Sequence, residues 1–405
     1  MMKYIVLLGD GMSDEPLDQL GGKTPLQAAH TPNMDLMARN GLLGLARTVP
    51  EGLPPGSDVA NLSVFGYDPR SCYTGRSPLE AASIGVDLGP ADVAFRLNFV
   101  TLSPEGGRVF MKDFSAGHIS TAEGRELIEA LRVHLEDNEF QFFPGVGYRH
   151  LMVWRNGRDT MKAVPPHDIT GKNVIGYLPS GEGSDRVINL MNSAQMILHN
   201  HPLNRKREAD DNLPANSIWL WGHGRAPRIS PFRERYGLTG AVISAVDLVK
   251  GIGIYAGLDI IQVEGATGYI DTNYRGKAEA ALEALKTKDY VYLHVEAPDE
   301  ASHSGRLDHK LQAIEDFDEK VVGTVLDGIK PFGDYRILCM PDHPTPVSIM
   351  THTSDPVPFI IYGGAGLDGN GGVAYDEESA KGSGWFVPEG FRLLSMMMGR
   401  TPTGA

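Results

Sequence analysis

Seven residues have the types and spacing to hold metal ions around a hydroxyl: Asp10, Ser57, Asp299 with His303 four positions on, the adjacent pair Asp342 and His343, and His352. Carboxylate oxygens and imidazole nitrogens are ligands for divalent cations, and a mixed Asp/His set suits manganese or zinc better than calcium, with magnesium less well served because of the imidazoles. A serine hydroxyl is a poor nucleophile at neutral pH until a base or a metal draws off its proton. Two cations bracketing such a hydroxyl would stabilise the attacking and leaving oxygens of an in-line phosphoryl displacement. The chemistry expected is therefore two-metal phosphoryl transfer with Ser57 as nucleophile. Each motif alone has an ordinary reading. Gly9-Asp10-Gly11 is a common turn, Ser57 or Asp58 could simply cap a helix, and a lone histidine is more often structural than a ligand.

What raises the set above its parts is where the residues fall. Four apolar runs, residues 4–8 (YIVLL), 290–295 (YVYLHV), 335–340 (YRILCM) and 357–362 (VPFIIY), have the length and continuous apolarity of strands covered on both faces, as in a parallel sheet. Between the second and third, Leu311, Ile314, Val321, Val325 and Ile329 recur at helical spacing, which predicts an amphipathic crossover helix over 308–330. This β–α–β order predicts a doubly wound, mostly parallel α/β sheet with helices on both faces. The first three runs lead directly, or within a few residues, into Asp or His, and open α/β sheets bind ligands beyond their strands' carboxyl ends. Adjacent residues of an extended strand point to opposite faces. Asp342 and His343 can share an ion only if the chain bends there, which Pro341 and Pro344 favour.

From about residue 92 to 236 the pattern changes to short mixed strands (95–102, 149–154), a helix over 122–135 and a polar stretch around 200–216. This predicts an inserted α+β domain over 92–237 in a discontinuous domain of 1–91 and 238–405, with hinges near Pro90 and 237–240. The segment 205–212 (RKREADDN) mixes both signs of charge and reads as solvated surface. The formal charge of −14 argues against nucleic acid, because no basic excess exists to neutralise backbone phosphates. It leaves a small phosphorylated substrate open, since bound cations invert the local field. Two isolated cysteines, Cys72 and Cys339, give no disulfide framework. The first apolar run is too short for a signal peptide and no run reaches membrane-spanning length, so a cytoplasmic protein without a membrane partner is expected.

With these strings assembled (GDGMSD, TPNMDLMARNG, GSDVANLSVFGYDP, YTGRSPLEA, KDFSAGHIS, GAVISAVDLVKGIG, APDEASHSG, PDHPTP and THTSDPVP), the chain resembles the cofactor-independent phosphoglycerate mutases of the archaeal type, within the alkaline phosphatase superfamily, over its full length. The resemblance implies one metal held by Asp299, His303 and His352. It implies a second held by Asp10, Asp342, His343 and the oxygen of Ser57, which becomes phosphorylated. The divalent pair would be Mn2+ or Zn2+, with Mg2+ and Co2+ open, and no 2,3-bisphosphoglycerate. It further implies a substrate clamp in the inserted domain, with His118 as substrate histidine, Arg225 and Arg228 as anion-binding arginines, and Arg76 and Arg149 as further candidates. One departure stands out: longer members carry a lysine before the third ligand cluster, and residues 262–273 have none.

The activity this implies is interconversion of 3- and 2-phosphoglycerate through a phosphoserine, with closure of the inserted domain retaining glycerate and excluding water. Because the missing lysine leaves the acid and the acceptor open, a homoserine kinase-like transferase, a sugar phosphomutase, a phosphohydrolase and a non-catalytic metal-binding protein stand as alternatives. A nucleotide-binding kinase is disfavoured by the absence of a P-loop.

Overall fold

The computed structural model describes residues 2–364, 369–370 and 372–399. The first part of the chain supplies strands β1 (Lys3–Gly9) and β2 (Leu42–Ala46). The middle supplies β3 (Val93–Glu105), β4 (Arg108–Asp113), β5 (Phe140–Val146), β6 (Arg149–Trp154) and β7 (Ser217–Gly224). The last part supplies β8 (Gly240–Ile243), β9 (Asp259–Ile261), β10 (Tyr290–Val295), β11 (Tyr335–Met340), β12 (Val357–Tyr362) and β13 (Phe386–Val387). The chain forms two compact units: one holds the segment up to Tyr73 and again from Arg228, the other Thr74–Pro227. Both borders come earlier in the chain than the borders expected from composition. The Ser77–Ser83 helix packs on β3 and β7 of the second unit, while Phe232 stacks on Tyr290 in the first.

The first unit is an eight-stranded sheet in the order β13-β2-β12-β11-β1-β10-β8-β9. Its pairs are parallel except where β12 runs antiparallel to both β11 and β2. That corrects the reading of residues 357–362 as a parallel strand: burial on both faces makes a run apolar whichever way it points. Alternate residues of the central strands serve opposite faces. Ile5, Leu7, Val291, Leu293, Ile337 and Cys339 join one core with the helices Pro32–Asn40, Tyr274–Leu285 and Leu307–Asp316. On the other face Tyr292 stacks on Phe65 at 4.0 Å and Tyr290 on Phe232 at 4.5 Å. Register decides the rest. Gly9 lies opposite Val295 and Leu8 opposite Met340, so β1, β10 and β11 end at one level of the sheet.

The helix predicted over 308–330 is interrupted. Leu307–Asp316 passes into a π-helical stretch, Phe317–Gly323, before Thr324–Gly328. The wider turn brings Phe317, Val321, Val322 and Val325 into the core together. It also places Asp318 to accept from the backbone N–H of Asn33 (3.1 Å) and Met34 (2.7 Å), capping a helix whose own N-cap side chain makes no cap bond.

The second unit is antiparallel, β4-β3-β6-β5 with β7 also paired to β3. Its core of Phe95, Leu97, Phe99 and Trp219 is covered by the helices Thr121–Leu135 and Ser184–Asn200. Residues 205–212 are not merely solvated surface. Arg207 is buried, with Nη1 donating to Glu123 (2.8 Å), Nη2 to the Ala116 carbonyl (2.8 Å) and Nε to the Leu213 carbonyl (2.9 Å). A guanidinium with every edge hydrogen-bonded can be buried where its sequence neighbours cannot. Among the described residues no helix is long and apolar enough to cross a membrane.

One buried ion pair ties the loops at the sheet's carboxyl edge. Lys310 Nζ donates to Asp14 Oδ2 (2.8 Å), the Thr345 carbonyl (2.9 Å) and the Ser13 carbonyl (3.3 Å), with both side chains fully buried. All three ammonium protons are used. Lys310→Met leaves the Asp14 carboxylate uncompensated and should cost about 3–5 kcal/mol of stability, read as a lowered urea midpoint.

Candidate metal centre

Asp10 follows β1 directly, and the turn after it needs Gly11. That residue has φ +61°, and a Cβ there would sit 2.6 Å from both Asp299 Oδ1 and Thr345 Oγ1. Ser57 is the first residue of the helix Ser57–Val64, whose N-cap is Gly56 with no side-chain cap bond. Neither Ser57 nor Asp58 is the cap that the sequence admitted. Asp58 Oδ2 accepts from the Tyr73 hydroxyl (2.7 Å), and the Ser57 hydroxyl sits in the positive field of the helix amides. Asp299 and His303 share one face of the helix Ala297–His303, one turn apart. After β11 the chain leaves the extended conformation, and Asp342 and His343 both end fully buried. His352 comes in half-buried just before β12.

All seven residues meet at the carboxyl end of the sheet. Ser57 Oγ lies 3.2 Å from His343 Nε2, which is 3.3 Å from Asp342 Oδ2 and 3.6 Å from Asp10 Oδ1. His303 Nε2 lies 3.1 Å from Asp299 Oδ2 and 2.9 Å from His352 Nε2, and His352 Nε2 is 3.6 Å from Asp299 Oδ1. Two sets of donor atoms, from Asp299, His343 and His352 and from Asp10, Asp342 and His343, are each clustered within 4.8 Å. His343 belongs to both, standing in the first set where His303 was expected, so the two groups are contiguous.

The donor set fits divalent cations. Asp10 Oδ1 is fully buried with no hydrogen-bond partner, an expensive state for a carboxylate oxygen without a cation. Burial, with Asp342, Glu296 and Asp299 close by, raises the Asp10 carboxyl well above its usual range. Burial pushes Asp342 up to about 6. Burial also opposes ionisation of Asp299, but hydrogen bonds from His303 and His352 outweigh it and hold that carboxyl well below its usual value. Burial drives the His343 imidazole down to about 3, which keeps it neutral with a lone pair to offer. Acids that resist joint ionisation, Asp10 and Asp342, beside the neutral His343 imidazole are what bound positive charge would relieve.

Sequence reasoning missed the groups that orient these ligands. Asn61 donates to Asp342 Oδ2 (2.8 Å) and the Ser57 carbonyl (2.9 Å), while its own oxygen accepts from Tyr292 (2.6 Å). His294 Nε2 lies 2.8 Å from Asp10 Oδ2, and Ser244 Oγ is 3.1 Å from His294 Nδ1. Glu296, directly after β10, has a buried orphan oxygen and a carboxyl pushed by burial up to about 8. Lys277, just past the lysine-free stretch 262–273, donates to the His294 carbonyl at 3.3 Å. Strand-end position was a usable signal for Glu296, whereas nothing in the sequence marks Asn61 or Lys277.

The second unit gathers some of the expected substrate residues. Glu80 Oε1 takes hydrogen bonds from Arg76 Nε (2.8 Å) and from buried Arg96 Nη1 (2.5 Å), and Arg149 adds a third positive charge near it. The Arg149 guanidinium lies 5.7 Å from the Tyr148 ring centroid, and His118, at φ +53°, meets the same ring edge-on at 6.3 Å. Arg225 is instead paired with Asp159 at 2.7 Å, and Arg228 is exposed in the first unit. Arg96 and Glu80 escaped notice because a buried Arg–Glu pair has no sequence signature.

The Gly11 turn gives the sharpest test of the assembly. Gly11→Ala would press on Asp299 and Thr345 together, and the expected result is a folded protein binding Mn2+ about 10–100-fold more weakly by titration calorimetry.

Comparison with known proteins agrees with this geometry. Residues 38–204 match the family model described as 2,3-bisphosphoglycerate-independent phosphoglycerate mutase. A probable 2,3-bisphosphoglycerate-independent phosphoglycerate mutase of Geobacter sulfurreducens is 68% identical over 98% of this chain and 100% of its own length. Among solved structures, a Pyrococcus horikoshii protein superposes with TM-score 0.84 at 30% identity, over 100% of this chain and 99% of that one. The cofactor-independent phosphoglycerate mutase of Thermoplasma acidophilum gives TM-score 0.65 at 27% identity, over 98% and 99%. An uncapped serine beside clustered Asp/His donors, on this sheet and with relatives this similar along the whole chain, places the protein in the 2,3-bisphosphoglycerate-independent phosphoglycerate mutase family.

Proposed function

We propose that this chain interconverts 3-phosphoglycerate and 2-phosphoglycerate by passing the phosphoryl group through Ser57. The observation that carries the reading is the Ser57 hydroxyl itself: it is spent on no helix cap and lies 3.2 Å from His343 Nε2 at the edge of the buried donor cluster. Asp299, His303 and His352 would hold one divalent ion, and Asp10, Asp342, His343 and Ser57 another, with Mn2+ or Zn2+ best suited to the mixed donors. Bound there, the pair would supply the charge that favours the serine alkoxide and the developing phosphoryl oxygens.

This chain's own groups do the positioning. The first amides of the Ser57–Val64 helix face the phosphoryl group. Asn61 holds the Ser57 backbone and Asp342 together. Ser57 Oγ takes the phosphoryl group from one glycerate oxygen, leaving phosphoserine and glycerate, and the other glycerate hydroxyl then takes it back. Glycerate must stay bound between these steps, and the second unit has the charge to hold it. Arg76, Arg96 and Arg149 gather near Glu80, and guanidiniums suit a carboxylate. His118 lies close by on the Tyr148 ring. Arg225 and Arg228 remain in the proposal as anion contacts, Arg225 in competition with Asp159.

Incubation with 3-phosphoglycerate and Mn2+ should yield 2-phosphoglycerate in an enolase-coupled assay, and release of inorganic phosphate in its place would mark a hydrolase. Ser57→Ala should lower kcat by about 10⁴-fold or more; near-normal turnover would sink the covalent route. Arg149→Met should act chiefly on KM, raising it about 10–100-fold for loss of one charge-assisted contact.

A further inference from the structure

Thr345 lies two residues beyond His343 and is fully buried. Its hydroxyl donates to Asp299 Oδ1 at 2.6 Å and lies 3.1 Å from His343 Nδ1. A hydroxyl has one proton. Since that proton goes to Asp299, the contact with His343 is satisfied only when Nδ1 carries a hydrogen and donates it. Both ends of the chain are then set. Asp299 Oδ1 is held in place as an acceptor, and His343 is held in the tautomer whose Nε2 lone pair faces Ser57 Oγ, Asp342 and Asp10. These are the forms each must have to bind a cation.

The backbone that carries this hydroxyl is tied on both sides. The Thr345 backbone N–H donates to the Ser13 carbonyl (3.1 Å), and its carbonyl accepts from buried Lys310 (2.9 Å). Gly11 leaves the space in which Thr345 Oγ1 and Asp299 Oδ1 meet.

The geometry points to Thr345 as a positioning residue shared by the two donor groups: its single hydroxyl prepares Asp299 in one and His343 in the other, so that losing it weakens cation binding at both. This rests on the reading of those groups as a two-metal centre. Outer hydrogen-bond partners of metal ligands typically govern affinity by about 10–100-fold.

The test is titration of the metal-stripped protein with MnCl2 by calorimetry, for wild type, Thr345→Val and Thr345→Ser, with the melting temperature of each stripped protein measured alongside. Valine keeps the shape and removes the hydroxyl. The expected result is two Mn2+ bound by wild type, both steps weakened about 10–100-fold in Thr345→Val, and affinity largely restored in Thr345→Ser. Wild-type affinity at both steps in Thr345→Val overturns the proposal, as does weakening of one step alone or a lowered melting temperature with unchanged Mn2+ binding. A wild-type protein that takes up no Mn2+ overturns the two-metal reading itself and the role of Thr345 with it.

Discussion

Three carboxylates, Asp10, Asp299 and Asp342, are buried together with Glu296 close behind, and the arrangement of the first unit follows from what it takes to keep them there. Like charges in a dry site repel, and desolvation opposes the ionised form of each. They stay because β1, β10 and β11 are packed on both faces and paired in a register that ends them at one level. A site that breaks the rules of a good core is held in place by a core that obeys them. The imidazoles of His303, His343 and His352 add donors without adding negative charge, which is why a mixed set can be closed this tightly.

Around the donors runs a second layer whose work is orientation. Asn61 grips Asp342 and the Ser57 backbone, and Tyr292, anchored in the sheet, grips Asn61. His294 supports Asp10, and Lys310 ties the loop after β1 to the loop after β11. Such partners fix which lone pairs face inward and so decide what the inner residues can bind. The second unit solves the complementary problem. A chain with a formal charge of −14 gathers three guanidiniums near Glu80. Burial, with Arg76 and Arg149 close by, brings the Arg96 guanidinium down to about 10 against the pull of Glu80.

Where sequence and structure part, the cause is the same each time. Residues 357–362 were apolar enough for a buried strand, but apolarity carries no direction, and β12 runs antiparallel. The period of residues 308–330 marked a helix without revealing the π-helical stretch that lets Asp318 cap its neighbour. Arg207 sits in a stretch of mixed charge that looks solvated until its partners, Glu123, Ala116 and Leu213, fold against it. Composition marked an inserted segment, but the packing of the Ser77–Ser83 helix on β3 and β7 sets where the second unit begins.

The order of apolar runs, and the Asp and His residues placed near their ends, determined the doubly wound sheet and six of the seven residues of the candidate centre, because strand ends in such a sheet converge by topology whatever the loops do, while Ser57 was marked by its place at a helix start. Long-range pairing decided the remainder. Asn61, His294, Lys310 and Thr345 owe their roles to atoms far away in the chain, and the Arg96–Glu80 pair to packing between separate elements. A side chain's type sets what it can donate or accept; only the folded backbone sets which atom it meets.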